Sequence, residues 1–215
     1  MNYFDEKMDL ADVVVVDIGI SNIASVLNSL VELGYAPLVV GDPSGIENAR
    51  RVVLPGNGSF RIASERLNKT GWVTALRQFA ESRKPLLGIC LGMHLLATSG
   101  EEDGVSEGLG LIPGVSRRLF VGDLRLPHVG WNTVDQLKSH FVLDGIKNGR
   151  DFYFSHSFAL EPIDKNLIIC STDYGNTFAS VVGRQNVVGV QFHPEKSQKN
   201  GLKLLSQFMK WDGAA

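Results

Sequence analysis

Four consecutive valines, Val13 to Val16, stand inside the short stretch from Asp12 to Asp17. β-Branched side chains pointing both ways leave a strand no face for water, so this one suits a sheet covered on both sides. The next segment is read as a helix from about Asn22 to Leu33, where Ile23, Val26, Leu27, Leu30 and Leu33 recur at helical spacing. Ser21 or Asn22 is placed to cap its start and Gly34 to end it. A strand from Ala36 to Val40, a turn at Gly41-Asp42-Pro43 and a strand from Arg51 to Leu54 follow. Trp72, Val73, Ala75, Leu76 and Phe79 then mark a helix, and Pro85 to Ile89 the next strand. Alternating strand and helix predicts an α/β fold with a central, mostly parallel sheet.

From Gly104 onward the pattern changes. Phe152–Phe154, Leu167–Cys170, Phe178–Val182 and Val187–Phe192 are short strand-like runs between Gly, Asn and Asp turns, which predicts an antiparallel extension. A helix from about Lys199 to Trp211 closes the chain. No internal repeat or low-complexity linker divides it, so 215 residues are read as one domain.

Composition removes several classes of function. A net charge of -2 gives no electrostatic footprint for nucleic acid or an anionic membrane. No apolar run reaches the roughly 18 residues of a membrane span. Met1 to Leu10 is acidic and polar, unlike a secretory signal. Two cysteines far apart in sequence fit a reducing, cytoplasmic setting.

The chemistry concentrates in three places. In Lys84-Pro-Leu-Leu-Gly-Ile-Cys-Leu-Gly-Met-His-Leu-Leu96 a buried strand runs into Cys90 and a helix starts straight after it. Gly88 and Gly92 flank the cysteine at two residues either side, the nucleophile-elbow pattern with Cys in place of Ser. A sulfur at the sheet's carboxyl edge beside a helix start is placed to act as a thiolate. Cys170, inside an apolar run without flanking glycines, is read as a core residue. In Val188-Gly-Val-Gln-Phe-His-Pro-Glu195 a strand delivers His193, and Glu195 follows two residues on, where a carboxylate fixes the imidazole tautomer. In Val52-Val-Leu-Pro-Gly-Asn-Gly-Ser59 a strand ends in a glycine turn. Amides at Asn57 and Gly58, with the N–H of Leu91, are candidate oxyanion donors. The histidines lack paired spacing for a metal, and Gly56-Asn57-Gly58 lacks the longer glycine loop and Lys-Ser/Thr ending of a phosphate cradle.

Taken together and in this order, Pro55-Gly-x-Gly58, Gly88-Ile-Cys-Leu-Gly92 and His193-Pro-Glu195 resemble the class I (triad-type) glutamine amidotransferases. Pro127-His-Val-Gly-Trp-Asn132, Tyr153-Phe-Ser-His-Ser157 and Glu195-Lys-Ser-Gln198 narrow the resemblance to the glutaminase subunits of imidazole glycerol phosphate synthase. It spans about Val13 to Trp211 and leaves about residues 1–11 as an N-terminal extension. The resemblance implies a flavodoxin-like core and a Cys90, His193, Glu195 triad. It implies that glutamine is held near Gly58, His94, Glu102, His156, Ser157 and Phe158, with Glu102 facing its amino group. It implies no metal or organic cofactor. It also implies a heterodimer partner, a (β/α)8-barrel synthase subunit docked at His128, Trp131 and Asn132, which receives the ammonia in histidine biosynthesis. The chain departs from the family at His94, where Gln is usual, and at Asn57, where Val is usual. The residues alone leave open a paralogous amidotransferase serving another pathway such as surface-sugar biosynthesis. They also leave open a non-catalytic partner-binding module and a stand-alone thiol hydrolase.

Overall fold

The computed structural model describes residues 11–214; the expected N-terminal extension lies almost wholly outside the described residues. The first half reads β1 (Val14–Val16), α1 (Ala24–Glu32), β2 (Leu38–Val40), β3 (Val52–Gly56), α2 (Phe60–Lys69), α3 (Trp72–Glu81), β4 (Leu86–Cys90) and α4 (Leu91–Leu95). The second half is mostly strand: β5 (Ala97–Gly100), β6 (Ser106–Glu107), β7 (Ile112–Arg118), β8 (His128–Gln136), β9 (Arg150–His156), β10 (Phe158–Pro162), β11 (Ile168–Tyr174), β12 (Asn176–Arg184) and β13 (Val187–Val190). Helix α5 (Gln198–Lys210) ends it.

One nine-stranded sheet has the order β2-β1-β3-β4-β13-β12-β11-β8-β9. Its first five strands are parallel and carry the 2-1-3-4-5 order of flavodoxin-like sheets, with β13 as the fifth. The other four continue it antiparallel. The valines of β1 are fully buried, as a strand covered on both faces requires. One core layer packs Val15, Val53, Leu87 and Val188 against Leu204, Leu205 and Phe208 of α5. The other packs Val14, Val52, Leu54 and Leu86 against Phe60, Leu67, Trp72 and Leu76 of α2 and α3. Among the described residues no helix is long and apolar enough to cross a membrane.

The run from Val187 onward corrects one expectation. It is not part of the antiparallel extension: β13 lies parallel to β4, with Val190 opposite Ile89. All four of its residues are buried, and only the sheet centre has two covered faces to offer such a strand. Ser21 and Asn22 do not cap α1; its N-cap is Ile23, with no side-chain cap bond. The Ser21 hydroxyl instead donates to the carbonyl of Pro55 at 3.0 Å and ties the loop after β1 to the end of β3. Helix α2 and the separate four-stranded sheet β10-β7-β5-β6 are additions to the expected elements. Phe60, Ala63, Ser64 and Leu67 of α2 are buried at i, i+3, i+4 and i+7, a stripe diluted in sequence by the charged residues around it.

The antiparallel half curls back on the centre. The amide of His193, just past β13, donates to Tyr153 of the edge strand β9 at 2.8 Å. Phe152 stacks on Phe192 at 4.0 Å between ring centroids, and Phe154 meets Phe192 edge-on. The last strand of the sheet therefore closes over the carboxyl ends of the central ones.

Candidate active site

Cys90 ends β4 with φ 53° and ψ -110°, a conformation an L-residue holds only when its surroundings impose it. The imposing contact is the crossing of α4 over β3 and β4. A Cβ on Gly92 would stand 1.8 Å from the carbonyl oxygen of Leu54, and one on Gly88 would stand 2.7 Å from the carbonyl oxygen of Gly92. Glycine at both positions lets the helix start hard against the strands and turns the chain sharply at the cysteine. In the β3–β4 register Gly56 lies opposite Cys90, so the exposed turn at Asn57 and Gly58 leaves the sheet at the same edge as the cysteine. Leu91 is buried at the first position of α4. The three expected oxyanion positions are thus brought to one sheet edge.

His193 reaches the same edge because β13 neighbours β4. Its Nδ1 lies 2.8 Å from Oε1 of Glu195, and both side chains are buried. Cys90 ends the neighbouring strand β4, close enough for its thiol to act on the ring. Burial opposes a charged imidazole, but hydrogen bonds to Cys90 and Glu195 and their negative charge outweigh it and raise the pKa of His193 to about 10. Cys90 Sγ stands 3.9 Å from the carbonyl oxygen of Ser155 in β9. Ser197, whose place in the Glu-Lys-Ser-Gln run gave it no role beforehand, bridges the halves. Its hydroxyl donates to the His193 carbonyl at 2.6 Å and accepts from the Tyr153 amide at 3.0 Å. Cys170 lies in β11, its thiol pushed up to about 12 by burial and by Asp135.

The residues expected around glutamine are placed less uniformly. Glu102 accepts from the Phe60 amide at 2.7 Å at the start of α2, and burial raises its pKa despite that bond. Ser157 and Phe158 are half-buried where β9 passes into β10. His156 is buried, with Nδ1 2.8 Å from the carbonyl oxygen of Phe158. His94, expected to meet substrate in place of Gln, is buried. Its Nε2 lies 2.8 Å from Gln191 Oε1, and burial lowers its pKa to about 4. The expected docking trio also divides: Trp131 is 48% exposed, Asn132 is half-buried, and His128 is only 3% exposed, stacked between Phe154 and Tyr174. His128 therefore stands behind the surface that Trp131 forms. Among the described residues no group of three or more His, Cys, Asp or Glu is arranged to hold a metal ion.

Fold and site together define an α/β protein that presents a cysteine, a histidine and a carboxylate at the carboxyl edge of a flavodoxin-order sheet. The chain belongs to the glutamine amidotransferase class-I family, whose model matches residues 14–211. It is 44% identical over 197 residues to imidazole glycerol phosphate synthase subunit HisH of Desulfitobacterium hafniense, covering 92% of this chain and 93% of that one. It is 42% identical over 200 residues to the chloroplastic imidazole glycerol phosphate synthase hisHF of Arabidopsis thaliana, covering 92% of this chain and 34% of the longer relative. Its fold is shared by a chain in the structure of PurLQS from Thermotoga maritima. There the TM-score is 0.73 at 17% identity, over 92% of this chain and 97% of that one.

Proposed function

We propose that this chain is the glutaminase subunit of an imidazole glycerol phosphate synthase. It hydrolyses glutamine to glutamate and ammonia and passes the ammonia to a (β/α)8-barrel synthase subunit in cytoplasmic histidine biosynthesis. The observation that carries the chemistry is the buried pair of His193 and Glu195 just past β13, the strand beside β4, which ends in Cys90 on its strained elbow. The relatives' description as HisH subunits supports the pathway and the second subunit.

The Cys90 sulfur attacks the side-chain amide carbon of glutamine. His193, its pKa raised to about 10, already holds the thiol proton and delivers it to the departing nitrogen, so ammonia leaves and a γ-glutamyl thioester remains. Backbone N–H groups at Gly58 and Leu91 stabilise the oxyanion. Each such donor contributes about 2.7–4 kcal/mol to the transition state. Water, deprotonated by His193, then breaks the C–S bond, releasing glutamate and leaving the sulfur as thiolate with the proton on His193. Glu195 keeps the ring oriented throughout. Glu102 and the Ser157–Phe158 segment hold the substrate. Trp131, exposed on β8, forms the docking surface with Asn132.

The test is glutamate release by the purified chain, with and without a co-expressed histidine-pathway barrel partner and its nucleotide ligand. Glutaminase activity that rises with that barrel and vanishes in Cys90→Ala is the expected result. An active Cys90→Ala chain sinks the chemistry. Activity indifferent to the barrel sinks the pathway.

A further inference from the structure

Two buried histidines of this chain, His128 and His156, form a line with a fixed direction. The carbonyl of Phe158 only accepts, so the 2.8 Å contact to His156 Nδ1 requires the proton there. Burial, together with His94, His128 and His193 nearby, lowers the His156 pKa to about 3, so the ring is neutral and its Nε2 is an acceptor. That Nε2 lies 3.0 Å from His128 Nδ1, which must therefore donate. His128 is likewise neutral, its pKa lowered by burial to about 4, and its Nε2 accepts. The Nε2 faces the amide nitrogen of Asn132 at 3.3 Å. The orientation of Asn132 is set independently: its oxygen accepts from the Thr133 amide at 2.8 Å, and its nitrogen donates to the Asp173 carbonyl at 2.9 Å. Every link then points the same way, from Asn132 through His128 and His156 to Phe158.

The rings have little freedom to turn. His128 stacks on Tyr174 at 4.0 Å and on Phe154 at 4.9 Å, and Phe178 meets His156 edge-on at 5.0 Å. The inner end of the line holds the passage from β9 to β10, where the Ser155 carbonyl faces the Cys90 sulfur. The outer end is half-buried on β8, one residue from exposed Trp131.

We propose that His128 and His156 are positioning residues for glutamine binding, holding the Ser155–Phe158 segment against Cys90 through a one-way hydrogen-bond line that starts at Asn132. The proposal rests on the reading of that segment as part of the glutamine site. It makes a partner seated on Trp131 and Asn132 a neighbour of the substrate pocket through two rings, with no change in the triad.

The test has two arms. In 15N-histidine-labelled protein near neutral pH, both rings are expected to carry the proton on Nδ1; a proton on Nε2 of His156 overturns the line whether or not the chain is a glutaminase. In the assembled enzyme, His128→Phe keeps the stack and removes the bond. It is expected to raise KM for glutamine about tenfold, the size of one lost buried hydrogen bond, while kcat changes about twofold or less. His128→Gln restores a donor and an acceptor and is expected to recover most of that loss. Asn132→Ala cuts the outer end without touching the core and is expected to raise KM in the same direction. Unchanged KM in both His128→Phe and Asn132→Ala overturns the positioning role. So does a loss that falls on kcat alone. Nδ1 tautomers in a chain with no glutaminase activity would leave the line standing and remove the functional reading instead.

Discussion

Nδ1 of His193 and Oε1 of Glu195 lie 2.8 Å apart in a buried pair whose imidazole holds its proton to about pH 10. A pKa raised above the unfolded value of 6.5 stabilises the fold fully below that value. The contribution fades as pH rises through about 10. Urea midpoints are therefore expected to fall between these limits, and Glu195→Gln should flatten the fall. A wild-type midpoint that is flat across this range contradicts the pairing. For turnover, Glu195→Gln is expected to be roughly tenfold to a hundredfold less damaging than Cys90→Ala or His193→Ala, since the carboxylate acts through the ring.

Cys90 inverts the usual ranking of alanine and glycine. Glycine in an ordinary strand is worse than alanine by about 0.5–1 kcal/mol. At φ 53° and ψ -110° the Cβ is what strains the backbone, so Cys90→Gly should be more stable than Cys90→Ala by about 1 kcal/mol or more. Both lack the thiol and should be inactive. Denaturant titration of the two variants decides the point.

Gly92→Ala should be far more costly than its one methyl suggests. The added carbon would meet the Leu54 carbonyl oxygen at 1.8 Å, a backbone atom of β3 that cannot swing away as a flexible side chain would. A loss of at least about 2–3 kcal/mol is expected, along with glutaminase activity. A stable, fully active Gly92→Ala enzyme would show that α4 does not cross the strands as described.

Ser197→Ala removes the hydroxyl between the Tyr153 amide and the His193 carbonyl. Leaving a buried donor unpaired costs about 1–3 kcal/mol. Because the same hydroxyl locks β9 to the His193 segment, kcat should fall as well, with the Cys90 thiol still present to titrate. A variant that loses neither stability nor rate would leave Ser197 without the bridging role.

Trp131→Ala should leave the folded chain intact, since the ring is 48% exposed and its aromatic contact among the described residues is Tyr153, edge-on at 6.1 Å between centroids. If β8 is the docking strand, affinity for the barrel partner should drop tenfold or more, as expected for a central aromatic anchor at about 2 kcal/mol. Sedimentation or calorimetry with the two purified proteins measures it.

Much of this was legible in order along the chain. The four valines from Val13 to Val16 called for a covered sheet, and Gly88, Cys90 and Gly92 called for an elbow, because both are local demands: burial of β-branched side chains and removal of two Cβ atoms. His193 and Glu195 are two residues apart, so their pairing was local as well. Helix α2 was not legible, because its buried stripe is diluted by Arg61, Glu65, Arg66, Asn68 and Lys69 on the solvent side.

What only the tertiary structure decided is which distant segments meet. Strand β13 looked like one more antiparallel run, yet its place beside β4 is what brings His193 to Cys90. The curl of β9 onto the end of β13, fastened by Tyr153 and Ser197, brings Ser155 to the sulfur. His128 read as a surface residue by position, but packing turned it inward onto His156. Residue type and spacing fix what a segment demands of its own backbone and faces. Strand order is a choice among partners far apart in sequence, and it is made by which neighbours bury those faces and satisfy their polar groups.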